Sequence, residues 1–400
     1  MSGEQSAQSS ENTERKDAHS LSGFIRNYMS FPVPGDLNLL WTLGAVLLMV
    51  LALMIASGLL LATSYTPDTS LAFSSVEALE RRGAAGWLLR AIHTTGASFF
   101  MAALYIHMFR GLCYRSYAAP RRAIWHSGVT LLLMAMMTAF AGYVLPWGQM
   151  SYWGADIAGK AAGAVPGVGP LLESIFLGGD SPGSPTLRRM FVLHFTIAFS
   201  IAGLVALHIA IVHFKGSSSP SGSKGQGRER MLSFHPYFTV KDVLSILVCA
   251  LAFVAVMCFW PGLVTESENY RPANPLHTPA SIEPEWYFLP FYGMLQAIPS
   301  KFGGLVLSAG AVLILFFVPS LDDAPVDGRP WGRMHVQSRI ALCMLIACFV
   351  VSGLAGKHHV QGDWLLVERI AMAGYYGYFL IFLPLAARSQ KADLPDEVED

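Results

Sequence analysis

Charge is missing from eight long stretches of this chain, and that absence restricts its fold more than any single motif. No Asp, Glu, Lys or Arg lies between Asp36 and Asp68, Arg90 and Arg110, Arg122 and Asp156, or Arg189 and Lys215. The same holds from Asp242 to Glu266, Lys301 to Asp322, Arg339 to Lys357, and Arg369 to Arg388. Each stretch approaches the roughly 20 residues that carry a helix across about 30 Å of hydrocarbon. Backbone polar groups in lipid must be satisfied within the segment, which selects helices. The pattern predicts an all-α, polytopic membrane protein with eight transmembrane helices. They lie near 39–65, 87–112, 125–146, 190–214, 243–263, 303–320, 338–356 and 366–387.

Composition removes the competing classes. Only 14% of the 400 residues are charged and 53% are hydrophobic, against roughly 25% charged in soluble domains. Lys+Arg and Asp+Glu are 27 each, so there is no concentrated basic surface for nucleic acid. Lys and Arg are denser in the tails and the even-numbered loops, so the positive-inside rule places both termini in the cytoplasm. The resulting division is a disordered cytoplasmic tail over 1–25 and an N-terminal four-helix membrane domain over 26–215. A flexible cytoplasmic loop over 216–241, a C-terminal four-helix membrane domain over 242–387 and a cytoplasmic tail over 388–400 follow. The loops 147–188 and 265–302, dense in Trp and Tyr, are expected to be ordered at the interface. Five cysteines form no CxxC or CxxCH pattern, so neither a zinc site nor covalent haem attachment is expected.

Histidine spacing then points to a cofactor. His93 and His107 are 14 residues apart in the second predicted helix, and His194 and His208 repeat that spacing in the fourth. Fourteen residues are very nearly four helical turns, so both members of each pair share a face, about 21 Å apart along the axis. The two helices run in the same direction, so His93 can oppose His194 at one level and His107 can oppose His208 at the other. Each opposed pair offers two axial imidazoles to a haem iron. The first four helices would thus form a four-helix bundle around two non-covalent b-type haems. Gly44 and Gly58 in the first helix, and Gly128 and Gly142 in the third, have the same 14-residue spacing. Glycine lets backbone approach a flat macrocycle closely. Arg90 and Arg110, about a turn from His93 and His107, are candidate partners for anionic propionates, or structural ion-pair residues.

Three segments carry a family resemblance. They are Gly142–Ala155 (GYVLPWGQMSYWGA), Pro284–Tyr287 (PEWY) and Phe234–Asp242 (FHPYFTVKD). With the histidine lattice, the chain resembles cytochrome b of the quinol:cytochrome c oxidoreductases, over about residues 22–387. The resemblance implies an outer, quinol-oxidising site with Phe140, Tyr143, Gly154, Pro284, Glu285, Phe288 and Tyr292 at the matching positions. Glu285 would accept a quinol proton, a task that needs hydrogen-bond reach and a pKa near the working pH. The implied inner, quinone-reducing site has His213, Ser217, Phe234, Lys241 and Asp242, where His213 can relay a proton near neutrality. The implied catalytic groups are Glu285, Tyr143, Tyr292, His213 and Asp242.

The implied activity is a Q cycle. One quinol electron goes to a Rieske iron–sulfur protein and on to a membrane-anchored c-type cytochrome. The other crosses from the outer to the inner haem and reduces quinone, generating a proton gradient. The chain would catalyse quinol–cytochrome c reduction only with those subunits, as a homodimeric complex in the bacterial inner membrane. Some positions depart from the family pattern: Thr94-Thr95 after His93, Thr42, Ser64 and Gln296. A secondary transporter fits poorly, because neither broken helices nor internal repeats stand at corresponding positions. A dihaem membrane anchor of another quinone-linked oxidoreductase is the remaining alternative, and such anchors lack the PEWY segment.

Overall fold

In the computed structural model, described over residues 20–221, 230–323 and 336–392, eight helices are long and apolar enough to cross a membrane. They are Leu39–Ala62, Ala85–Cys113, Arg122–Val144, Ser184–Lys215, Phe234–Phe259, Lys301–Leu321, Val336–Lys357 and Asp363–Ser389. All eight expected spans are present, and the differences sit at their ends. The fourth begins at Ser184, where Pro185 occupies the first turn and Thr186 closes the start through the Gly183 N–H (3.0 Å). Proline is favoured there because its missing N–H would have no partner in any case.

Three proposed boundaries need correction. The tail over 1–25 is helical at its described end, Leu21–Met29; residues 1–19 lie outside the described residues. The loop over 216–241 is structured from Met231. Met231–Ser233 pairs antiparallel with Pro32–Pro34, and the fifth span starts at Phe234. The pairing satisfies backbone that the charge pattern alone left without a partner. The eighth helix runs on to Ala392, so only 393–400 of the last tail lies outside the described residues. The stretch 222–229 of the loop does too.

The first four spans pack as a bundle, with the first against the second and the third against the fourth. Within 242–387, the fifth span is placed by a different set of contacts. It lies against the first and second spans, with Phe99 and Phe253 in edge contact at 5.2 Å. A uniformly apolar helix carries no sequence mark of its neighbour, so packing alone decides this. The long loops are ordered as expected. Gln149–Gly163 and Gly169–Leu177 are helices, and Leu289–Gln296 forms a short helix against the seventh span.

Two sets of polar contacts lock the halves together. Arg115 donates to both carboxylate oxygens of Asp322 (2.8 and 2.7 Å), and Tyr117 donates to the same group (2.7 Å), all buried. Trp125 Nε1 donates to the Leu315 carbonyl at 2.6 Å, and Tyr105 Oη to the Tyr287 carbonyl at 2.6 Å. These tie the second and third spans to the sixth span and to the segment before Leu289.

Candidate functional site

At one end of the bundle the His93 and His194 rings face each other, with centroids 6.2 Å apart and planes at 69°. A metal held at about 2 Å from each of two opposed imidazole nitrogens puts the ring centres roughly 6 Å apart, so the gap has the width such a pair needs. The hydrogen bonds also fix the tautomer. Ser57 Oγ donates to the Leu53 carbonyl (2.7 Å), so its contact with His93 Nδ1 (2.9 Å) is accepted from the ring. His194 Nδ1 donates to the Thr138 carbonyl at 2.7 Å. Both rings therefore carry their proton on Nδ1 and present a bare Nε2.

At the other level, Ser127 Oγ donates to the Ile124 carbonyl (2.9 Å) and accepts from His208 Nδ1 (2.7 Å). His107 differs: its Nδ1 is buried without a hydrogen-bond partner among the described residues. Sequence reasoning missed Ser57, Ser127 and Thr138. The repeated Ser-Gly dipeptides, Ser57-Gly58 and Ser127-Gly128, were a readable signal.

The four glycines are not equivalent. A Cβ at Gly142 would lie 2.6 Å from His194 Cε1, and one at Gly58 would lie 3.0 Å from His93 Cε1. At Gly128 the nearest atom is His208 Cε1 at 3.6 Å, whereas a Cβ at Gly44 would have no protein atom of the described residues within 4 Å. Three of the four thus set how closely the first and third spans approach a histidine. The His93–His194 donor set fits a haem: two opposed imidazoles with oriented Nδ1 protons, flanked by backbone that carries no side chain.

Arg90 and Arg110 each have protein partners. Arg90 pairs with Glu80 at 2.6 Å and lies over the Tyr270 ring at 4.6 Å. Arg110 lies over the Trp41 ring at 4.7 Å and donates to Ser116 Oγ at 3.2 Å, while its buried Nε has no partner among the described residues.

A single cavity runs from the His93–His194 pair to Glu285 and is lined by Gly58, Gly142, Arg90 and Tyr143 as well. Glu266, Asn269 and Tyr270, from the loop after the fifth span, close it; the sequence reading had not singled these out. Burial pushes the Glu285 carboxyl up to about 8, with the nearby Glu266 charge adding to the rise. The Tyr143 hydroxyl is buried without a partner among the described residues. Gly154 lies beside it, 4.0 Å from a built Cβ to Tyr143 Cε1. The other expected members stand behind this lining. Phe140 packs on Phe176 at 6.0 Å and Phe288 on Tyr287 at 4.9 Å, and Tyr292 donates to the Ile282 carbonyl at 3.1 Å. Pro284 and Glu285 open the one-turn helix Trp286–Phe288.

The opposite end gathers His213, Phe234 and Phe31. The His213 ring lies 5.0 Å from Phe31, and the Phe234 N–H donates to the Phe31 carbonyl at 2.8 Å. Ser217 turns to the Ser218 carbonyl (3.2 Å). Lys241 donates to the Leu37 carbonyl (2.6 Å) and to Tyr237 Oη (2.8 Å), which anchors the Gly35–Leu37 turn. Asp242 Oδ1 is buried with no partner among the described residues. Thr42 Oγ1 donates to the Leu39 carbonyl at 2.6 Å and lies 2.7 Å from Ser245 Oγ on the fifth span.

Two family models match the chain: "Cytochrome b/b6/petB" over residues 28–216 and "Cytochrome b(C-terminal)/b6/petD" over residues 272–376. It is 41% identical to cytochrome b of Rickettsia bellii over 376 residues, covering 94% of this chain and 93% of that one. It is also 41% identical to cytochrome b of Cereibacter sphaeroides over 388 residues, covering 91% and 86%. Among solved structures, a chain of a hyperthermophilic respiratory complex III superposes with a TM-score of 0.88 at 30% identity. That match covers 95% of this chain and 99% of the other.

Proposed function

The chain belongs to the cytochrome b family, and on that premise we propose that it holds two haem b groups and a quinone site at each end of its bundle. As the cytochrome b of a bc1-type complex III, it is an integral membrane component of a redox enzyme complex. The observation that carries the finer reading is the opposed His93–His194 pair, with both Nδ1 atoms occupied and both Nε2 atoms bare. His107 and His208 would form the second ligand pair. Bound haem supplies one-electron storage and transfer between the two sides of the membrane.

This chain's own residues then position quinone and handle protons. Glu285 stands in the cavity that reaches the His93–His194 pair, and a carboxyl near 8 can take a proton from a bound quinol and release it to water. Tyr143 offers an uncommitted hydroxyl to orient that quinol. Removing water from this pocket strengthens both interactions. At the other end, Asp242 and His213 would supply protons to quinone, while Lys241 holds the Gly35–Leu37 turn over the site. Positive-inside asymmetry puts the Glu285 end outward and both termini in the cytoplasm. Both ends working together give quinol:cytochrome c oxidoreduction by a Q cycle. The partners are a Rieske iron–sulfur protein, a membrane-anchored c-type cytochrome and a second copy of the complex in the bacterial inner membrane.

The decisive experiment is the reduced-minus-oxidised spectrum of wild-type and His208→Leu membranes. The wild type shows two b-type components and the variant retains only the one held by His93 and His194. Two components surviving in His208→Leu would refute the pairing.

A further inference from the structure

The segment that delivers Glu285 is held on both sides, and one of its two anchors is a polar ring that the catalytic reading does not use. On one side, Trp286 Nε1 donates to Ser98 Oγ at 3.2 Å and the Tyr287 carbonyl accepts from Tyr105 Oη at 2.6 Å. Both partners lie on the second span, between His93 and His107. On the other side, Glu283 forms an ion pair with Lys357 Nζ (2.5 Å) and accepts from Ser281 Oγ (2.7 Å). Ser281 Oγ has spent its proton on Glu283, so it accepts from His359 Nε2 at 2.8 Å, while His359 Nε2 also lies 3.6 Å from Glu283. Tyr292 adds to this clasp by donating to the Ile282 carbonyl and setting its ring 6.2 Å from His359.

The turn supplying Lys357 and His359 is built for this contact at a conformational cost. His359 and Val360 have φ of 53° and 51°, a region that β-branched residues rarely adopt. Such strain persists where surrounding contacts over-determine it. The Glu283 side chain is 14% exposed, against 51% for Lys357, so the carboxylate sits inside and the ammonium caps it. Burial would raise the Glu283 carboxyl, but the Lys357 and Ser281 hydrogen bonds hold it below the usual carboxylate range. Two residues on, the Glu285 carbonyl accepts from the Phe288 N–H at 2.8 Å, while its carboxyl has no hydrogen-bonding or ion-pair partner among the described residues.

We propose that Glu283 is a positioning residue, clamped by Lys357 and His359 so that the backbone of residues 281–284 stays fixed while the Glu285 carboxyl swings. The proposal rests on the reading of Glu285 as proton acceptor. A side chain that must first reach a substrate hydroxyl and then water needs a stationary pivot, and small misplacements at such a pivot act on the rate. Glu283 touches no reacting atom in this scheme. It acts through the backbone it shares with Glu285.

The test uses membranes containing the assembled complex with Glu283→Gln, Lys357→Met, the double variant, Lys357→Arg and Glu285→Gln. Each is assayed for quinol kcat and KM and for the reduced haem spectrum. Glu283→Gln and Lys357→Met each lower kcat about tenfold with KM little changed and haem bands intact. The double variant is no worse than either single one, because both remove one contact. Lys357→Arg, which keeps the ion pair, retains wild-type turnover. Losses that multiply in the double variant, or a Lys357→Arg loss as deep as Lys357→Met, overturn the clamp. Wild-type turnover in Glu283→Gln beside an impaired Glu285→Gln overturns the clamp alone. Wild-type turnover in Glu285→Gln overturns the reading of Glu285 itself.

Discussion

Gly142→Ala is the sharpest probe of the histidine site, because the structure assigns it a size. The new methyl would sit 2.6 Å from His194 Cε1 and 2.9 Å from Nδ1, against an ordinary contact limit near 3.4 Å. The third span is rigid at this level, so the imidazole must retreat by about 0.8 Å. Moved directly away, its Nδ1 bond to the Thr138 carbonyl would lengthen from 2.7 Å past the roughly 3.2 Å at which N–H···O bonds fade. Overpacking of this kind costs about 1–3 kcal/mol, and the lost hydrogen bond about 1 kcal/mol. Losing an orienting partner of a metal-bound histidine weakens metal affinity by roughly 10–100-fold, which is the same scale. A redox titration of the reduced spectrum in Gly142→Ala, Gly58→Ala and Gly128→Ala membranes measures it. The expected order of damage is Gly142, then Gly58, then Gly128. A normal Gly142→Ala spectrum beside a damaged Gly128→Ala would refute the geometry.

Two further outcomes follow from the polar groups. Glu285 is protonated below about 8, so it accepts a proton only as pH rises. Quinol oxidation should therefore climb through that pH and lose this limb in Glu285→Gln, and Glu266→Gln should move the limb to lower pH. An unchanged pH profile in Glu285→Gln contradicts the assignment. For stability, removing one partner of a buried ion pair costs about 3–5 kcal/mol. Arg115→Ala should accordingly lower the thermal midpoint for loss of the haem spectrum by several degrees. The exposed Arg81–Glu77 pair, with side chains 77% and 44% exposed, is worth at most about 0.5 kcal/mol, so Arg81→Ala should leave the midpoint in place. Equal midpoints for the two variants would remove the buried pair's role.

The eight spans were legible because the cost of placing charge in hydrocarbon is paid residue by residue, and composition records it directly. The histidine and glycine spacings were legible because helical geometry converts a count of 14 into a shared face. Helix ends were less so. The strand Met231–Ser233 and the early start at Phe234 depend on a partner strand, Pro32–Pro34, almost 200 residues away in the chain. Nor does a local pattern distinguish Gly128, where a Cβ would lie 3.6 Å from His208, from Gly142, where it would lie 2.6 Å from His194.

The sequence by itself determined that this chain is a helical membrane protein with four histidines at two levels, because both properties follow from local period and local transfer energy. Only the tertiary structure decided which nitrogen stays bare on the His93, His194 and His208 rings and which span flanks which histidine. It also decided that the fifth span leans on the first two, and that Glu283 is tied to Lys357 across more than 70 residues of chain. Those outcomes depend on distances between segments, and the identity of a residue carries no record of what another helix will bring beside it.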